Sequence, residues 1–345
     1  MSSLLSIKNL TVNFDTPRGA MQAVRGVSLE LSCGETLAIV GESGSGKSVV
    51  CKSIMQLLCE KSTCDGQILY NNEDLLQKNE KQIQELRGSQ IAMVFQDPMT
   101  FLNPALSIGR QISETVRRHE KVSRKQAKQR AIELLAQVGI SEPASRYNQH
   151  PHHFSGGMRQ RAALAIALAC RPKLLICDEI TTALDVTVQE QILCLLKELQ
   201  RQTGVSIIFV SHDLSLVGRI ADRIAVMYAG KIVELGTVEE IFHDSRHPYT
   251  WGLLTALPQS ALNSGSLSAI AGAPPDTVRL PKGDAFACRN PYALAIDYEQ
   301  EPPSFQISKT HFAATWLADN RAPQIEPPVI ITEGKIEVMK EVFNG

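Results

Sequence analysis

No apolar run in this chain is long enough to cross a bilayer. The most apolar stretch, AALAIALAC from Ala162 to Cys170, falls well short of the roughly 18 to 20 residues that a membrane helix needs. Any membrane role must therefore come through a partner. The opening MSSLLSIKNLTVNFD mixes Lys, Asn and Asp among short apolar runs and lacks the uninterrupted apolar core of a secretory signal, which predicts a cytosolic start. An excess of one charge is missing too. The formal net charge is -1, from 35 Lys and Arg against 36 Asp and Glu, so there is no global pull toward nucleic acid or membrane. No two of the eight cysteines (Cys33, Cys51, Cys59, Cys64, Cys170, Cys177, Cys194 and Cys288) form a C-x-x-C pair or sit beside a His at metal-ligand spacing. Most lie in apolar surroundings such as LLICDE and ILCLLKEL, where a reduced cysteine behaves as a small hydrophobe. There is no internal repeat and no low-complexity tract.

What is present is an alternation of strand and helix signals. LLSIKNLTVNF and AVRGVSLEL alternate as strands, and Ser32 to Gly34 turn the chain into TLAIVG, a continuous apolar run that suits a buried parallel strand. KSVVCKSIMQLL then has helical length and an apolar face. From about Met99 to Arg161 the character is helical. In SRKQAKQRAIELLAQVGI, Ser123 and Gln126 form a capping-box pattern, Ile132, Leu135 and Val138 line one stripe, and Gly139 is a stop. KLLICDE and VSIIFVSHD read as further buried strands, each preceded by a helical stretch, and strands alternating with helices predict a parallel sheet. After Gly236, Pro and Gly punctuate HPYTWGLLTALP, AGAPPD, LPKGD and YEQEPPS. The 345 residues divide by this reading into a catalytic domain, 1–236, with a helical part at about 99–161, and an accessory region, 237–345, with little regular structure.

The chemistry concentrates in a few motifs. Gly41, Glu42, Ser43, Gly44, Ser45, Gly46, Lys47 and Ser48 fit G-x-x-x-x-G-K-S between a predicted strand and a predicted helix. Backbone N–H groups of such a loop and the positive end of the helix can cradle phosphates, Lys47 can reach β and γ oxygens, and the Ser48 hydroxyl can ligate Mg²⁺. LLICDE ends in Asp178, suited to hold Mg²⁺ directly or through water, and Glu179, placed to polarise a water that attacks a γ-phosphate. In FSGGMRQR, Ser155, Gly156 and Gly157 offer a hydroxyl and unshielded N–H groups at a predicted helix N-terminus, ready for an anion.

This SGG upstream of the Asp-Glu strand resembles the signature of ATP-binding cassette ATPases. The resemblance implies an α/β fold of P-loop cassette type: a mixed sheet core, an antiparallel β subdomain, a helical subdomain and an irregular C-terminal extension. It also implies that the signature faces the γ-phosphate bound by a second subunit, so that one chain is half of two ATP sites. Further motifs stand in the family's order. Gln96 in VFQDP resembles the glutamine that touches Mg²⁺ and water, Asp185 in TTALD the aspartate at the dimer interface, and His212 in FVSHD the histidine that contacts the γ-phosphate. Phe14 in TVNF is a candidate for stacking on adenine. Taken singly, Gln96 could cap a strand end, His212 could be a surface histidine, Asp185 a solvated turn residue and Phe14 a core residue. Two positions depart from the family's usual form: Ile180 stands where proline is common, and Met158 replaces the usual glutamine.

RHPYTWGLLTALP and the following AGAPPD are similar to the C-terminal extension of peptide and nickel importer ATPases, so the resemblance covers nearly the whole chain. Many such relatives bind an iron–sulfur cluster there through four cysteines. The corresponding positions are here Asp284, Asn290, Asp297 and Thr315, and Cys288 falls elsewhere, so no cluster is expected. The cluster-free form, with GDAFA and HFAATWL, most resembles the first cassette subunit of Gram-positive oligopeptide importers. The implied cofactors are ATP and Mg²⁺. The implied partners are a second cassette subunit, two transmembrane permease subunits and an extracellular peptide-binding protein, with no nucleic acid. The implied place is the cytoplasmic face of the bacterial cell membrane, peripherally bound. A permease helix is expected to dock on the helical part beyond Gln96, including Phe101 and Leu102. The alternatives are a dipeptide or metal-chelate importer, a soluble cassette ATPase acting on nucleic acid or ribosomes, and a P-loop kinase, which has no use for FSGGM.

Overall fold

The structure is a computed structural model that describes residues 3–182, 184–257, 270–332 and 335–338. The chain begins with a long hairpin, β1 (Ser3–Thr16) and β2 (Gly19–Ser32), then β3 (Thr36–Val40), the glycine-rich loop and α1 (Lys47–Ile54). β4 (Ser62–Tyr70), β5 (Glu73–Asp74), α2 (Glu80–Leu86) and β6 (Ile91–Val94) follow. A helical region comes next: α3 (Pro98–Phe101), α4 (Ile108–His119), α5 (Arg124–Gln137), α6 (Pro143–Arg146) and α7 (Gly156–Ala167). Strands and helices then alternate through β7 (Leu174–Asp178), α8 (Val186–Thr203), β8 (Ser206–Ser211), α9 (Leu214–Ile220) and β9 (Arg223–Tyr228). The chain continues into β10 (Lys231–Thr237), α10 (Val238–His243), α11 (Pro248–Thr255), β11 (Phe305–Gln306) and β12 (Phe312–Ala313).

Two sheets organise these elements. An antiparallel sheet has the order β2-β1-β4-β5, and a larger mixed sheet has the order β11-β12-β10-β9-β3-β8-β7-β6. β9, β3, β8, β7 and β6 run parallel, and β10, β12 and β11 close one side in antiparallel fashion. The parallel strands are apolar along most of their length, with polar residues such as Thr36, Asp178, Ser206 and Arg223 at their ends, because both their faces are covered. Side chains alternate between the two faces along each strand: Ala38, Val40, Leu175, Cys177, Ile207 and Phe209 join the helical core, whereas Leu37, Ile39, Leu174, Ile176, Ile208 and Val210 pack toward the antiparallel sheet and α1.

Local signals set several boundaries. Ser123 and Gln126 form the capping box of α5. Its buried stripe is Ala127, Ala131, Leu134, Leu135 and Val138, while Ile132 is only half-buried, so the apolar face is rotated from the expected one toward the alanines. The helix that begins at Lys47 stops at Ile54 rather than running through Leu58, because Gln56 adopts φ 48° and its side-chain amide donates to the Leu75 carbonyl.

Two further expectations change. Leu102 is 2% exposed and belongs to the helical core, so it offers no docking surface; Phe101 is half-buried against Phe95 and Met99 is exposed. The described residues after Gly236 hold more regular structure than their Pro and Gly content predicts. β12 pairs Ala313 with Glu234 and Phe312 with Leu235, extending the main sheet and covering an otherwise open edge. At this junction His311 Nε2 lies 2.8 Å from Glu234 Oε1, both side chains fully buried. Asp284, Asn290, Asp297 and Thr315 are all buried, and each accepts a nearby backbone N–H, from Phe286, Tyr292, Leu294 and Leu317 respectively. These four oxygens close local turns.

Candidate functional site

Four adjacent parallel strands deliver the site from one edge of the sheet. β3 leads into Gly41, β8 into His212, β7 into Glu179 and β6 into Gln96, each at the carboxyl end where ligands of open α/β sheets bind. Glycine is required at two points of the loop. Gly41 has φ 151° and a Cβ there would meet the Met227 carbonyl at 2.1 Å; Gly46 has φ 102° and a Cβ would meet the Ala23 carbonyl at 2.4 Å. The backbone thus passes tightly between β2 and β9, leaving its N–H groups at the start of α1.

Lys47 is 4% exposed and its ammonium donates to the Gly41 carbonyl at 2.8 Å and the Glu42 carbonyl at 2.9 Å. Burial pushes its pKa down, while Glu179 and Asp178 pull it back up. Ser43 and Gly44 are exposed at the tip, and Ser45 is buried with its hydroxyl unpartnered. Ser48 Oγ donates to Asp178 Oδ1 at 2.8 Å. Burial raises the Asp178 pKa, and the Ser48 hydrogen bond counters that shift.

Glu179 stands between two cationic or titratable groups. One carboxylate oxygen is 3.7 Å from Lys47 Nζ and the other is 3.7 Å from His212 Nδ1. Its backbone has φ 51°, an unfavourable value for a residue with a Cβ, held by a hydrogen bond from its N–H to the Val210 carbonyl. Thr182 Oγ1 donates to the same carboxylate at 3.4 Å. Gln96 follows β6 with an exposed side chain, on the strand that pairs with β7. Loop, acids and histidine thus converge at the carboxyl ends of neighbouring strands, where backbone N–H groups and an ammonium can hold phosphate. The orphaned Ser45 hydroxyl and the glycine cradle fit a phosphate chain, and the Ser48–Asp178 pair is a hard oxygen donor set that suits Mg²⁺.

The remaining predicted residues form a separate group. Ser155 caps α7, its hydroxyl accepting from Met158 N at 3.3 Å, with Gly156 exposed and Gly157 against Val188 of α8. Asp185 caps α8 in the same manner through Val188 N at 3.0 Å. Among the described residues, no hydrogen bond or ion pair joins Ser155, Gly156, Gly157 or Asp185 to Gly41–Ser48. Phe14 lies half-buried on β1, packed against the core beneath the antiparallel sheet, opposite Met21 on β2. Sequence reasoning missed Arg289 and Tyr249, which both reach Glu42 of the loop. No local pattern could have found them, because the pairing spans 247 residues for Arg289.

Residues 24–182 match the ABC transporter family, and residues 233–296 match the oligopeptide/dipeptide transporter C-terminal region. The chain is 55% identical to the oligopeptide transport ATP-binding protein OppD of Bacillus subtilis (strain 168), covering 100% of this chain and 97% of the relative. It is 53% identical to the dipeptide transport ATP-binding protein DppD of Lactococcus lactis subsp. cremoris (strain MG1363), covering 94% and 93%. Among solved structures, the ATP-binding cassette MJ0796, a dimer in a post-hydrolysis state bound to ADP and Pi, superposes with a TM-score of 0.62 at 28% identity, over 68% of this chain and 98% of that one. With identity above half across whole-length relatives, the chain belongs to the ABC transporter ATP-binding proteins that carry the oligopeptide/dipeptide transporter C-terminal region.

Proposed function

We propose that this chain is the ATP-hydrolysing subunit that powers oligopeptide import across the cytoplasmic membrane. The observation that carries the reading is the convergence of Lys47, Glu179 and His212 at the ends of three neighbouring parallel strands, with the glycine loop beside them. Gly41–Ser48 holds the phosphates of ATP. Ser48, Asp178 and Gln96 would hold Mg²⁺, which when bound would supply charge neutralisation on the phosphates. Glu179 polarises the attacking water, its carboxylate aimed by Lys47, Thr182 and His212, and His212 contacts the γ-phosphate. Phe14 stacks on the adenine.

Ser155, Gly156, Gly157 and Asp185 serve the ATP of a second cassette. The dimeric state of the MJ0796 cassette supports this. Residues 1–236 form the ATP-binding domain and 237–345 the transporter-specific extension. Around it the assembly contains a second cassette subunit, two transmembrane permease subunits and an extracellular peptide-binding protein. The chain binds peripherally, on the cytoplasmic face, through the permease, a reading supported by its identity to ATP-binding proteins of peptide transport; no helix among the described residues is long and apolar enough to cross a membrane. Phe101 and the exposed Met99 contribute to that contact.

A dipeptide cargo is the second reading, supported by the 53% identity to the Lactococcus dipeptide protein. Reconstitution of the transporter in proteoliposomes decides between the two. ATP hydrolysis stimulated by a binding protein loaded with a peptide of four or more residues supports the first reading. Stimulation by dipeptides alone supports the second, and no stimulation by any peptide rejects both.

A further inference from the structure

We propose that Arg289, in the C-terminal extension, is a positioning residue for the phosphate loop. All five N–H donors of its guanidinium are used. Nη1 donates to Glu42 Oε2 at 2.8 Å and to the Tyr228 hydroxyl at 3.1 Å, Nη2 to Glu42 Oε1 at 3.0 Å and to the Ile270 carbonyl at 3.2 Å, and Nε to the Ala271 carbonyl at 2.8 Å. The side chain is 7% exposed and its guanidinium lies 5.8 Å from the Tyr228 ring centroid. A bidentate fork of this kind fixes direction as well as charge, which a lysine in its place could not do.

Glu42 is held a second time by the same region. Its backbone N–H donates to the hydroxyl of Tyr249 at 2.8 Å, and Tyr249 is fully buried among Tyr228 and Phe286. The carbonyl of Glu42 in turn accepts from Lys47 Nζ at 2.9 Å. A continuous path therefore runs from Arg289 and Tyr249 through Glu42 to the ammonium that faces the phosphates. The extension orders the loop and Lys47 before nucleotide arrives, so that less of the binding free energy is lost in ordering them. The inference rests on the reading of Gly41–Ser48 as the ATP phosphate loop.

The test compares the full-length chain with Arg289→Ala, Arg289→Lys, Glu42→Gln and the Arg289→Ala/Glu42→Gln double variant, using Mg-ATP as the probe. Calorimetry gives Kd, steady-state hydrolysis gives KM and kcat, and thermal melts report folding. The expected result is a rise in Kd and KM of about tenfold for Arg289→Ala with kcat within about threefold. Glu42→Gln should behave similarly, Arg289→Lys should fail to restore binding, and the double variant should be no worse than either single one. A lowered melting temperature with unchanged Kd and KM would overturn the inference and leave Arg289 a packing residue. Should Arg289→Ala not fold, Tyr249→Phe, which keeps the ring, is judged by the same criterion. Lys47→Ala separates the two levels: if it binds Mg-ATP like the unaltered chain, the phosphate-loop reading itself fails. If it loses binding while Arg289→Ala does not, only the positioning role fails.

Discussion

Replacing Asp284 by Asn should stabilise the protein at neutral pH and leave it unchanged in acid. Asp284 is 8% exposed, and burial lifts its pKa from the ordinary 3.8 to about 6, offset in part by the Phe286 N–H that favours the carboxylate and by Arg25, with further upward pushes from Asp297 and Glu301. The folded protein therefore holds a proton on Asp284 that the unfolded chain has released between pH 3.8 and about 6. In that window stability falls as pH rises, and above it the ionised carboxylate costs the fold about 3 kcal/mol. Asn keeps the oxygen that accepts from Phe286 N at 3.0 Å and has no charge to bury. His247 acts in the opposite direction, since burial pushes it down to about 3, and its contribution is lost as pH falls below the usual histidine range. Because His247 is common to both proteins, the difference between them isolates Asp284. Guanidinium unfolding at several pH values between 4 and 8 should give curves that coincide at the acid end and separate by about 2 to 3 kcal/mol near pH 7. A difference independent of pH, or a destabilised variant at pH 7, would refute the assignment of the charge cost to Asp284.

Other perturbations test the site directly. Glu179→Gln should lower hydrolysis by roughly 10²- to 10⁴-fold in a single-turnover assay while leaving the Kd for Mg-ATP nearly unchanged, since it removes a base and not a phosphate contact. Gly46→Ala places a methyl 2.4 Å from the Ala23 carbonyl at φ 102°, so it should cost about 2 kcal/mol or more in chemical unfolding and impair Mg-ATP binding; a neutral outcome would contradict the loop geometry. Leu102→Asp buries a charge in the helical core and should reduce stability by about 3 kcal/mol or more. Phe101→Asp, at a half-buried position, should fold and instead weaken hydrolysis stimulated by the permease.

The parts legible in the sequence are those whose signal is local. TLAIVG, LLICDE and SIIFVS are continuous apolar runs because parallel strands are covered on both faces, and each hands over directly to a functional residue. Ser123 announces a helix start by its capping box, Ser155 stands at the helix start expected of SGG, and both accept a backbone N–H there. What was not legible depends on contacts between distant segments. The end of α1 at Ile54 follows from Gln56 turning toward Leu75. β11 and β12 have two residues each, too few for a periodic pattern; β12 exists because β10 offers it an edge, and β11 pairs in turn with β12. The inward direction of Leu102 beside the half-buried Phe101 follows from the packing of α3 against α7 and is invisible in a run of two apolar residues. The grip of Arg289 and Tyr249 on Glu42 has no sequence signature at all.

The central claim is that this chain supplies half of each of two ATP sites. Light scattering of purified Glu179→Gln protein with and without Mg-ATP, alone and mixed with a candidate second cassette, tests it most directly, because slowed hydrolysis should trap the closed pair. The account predicts association that requires Mg-ATP and the second cassette. Tight Mg-ATP binding with no association in any mixture would contradict it.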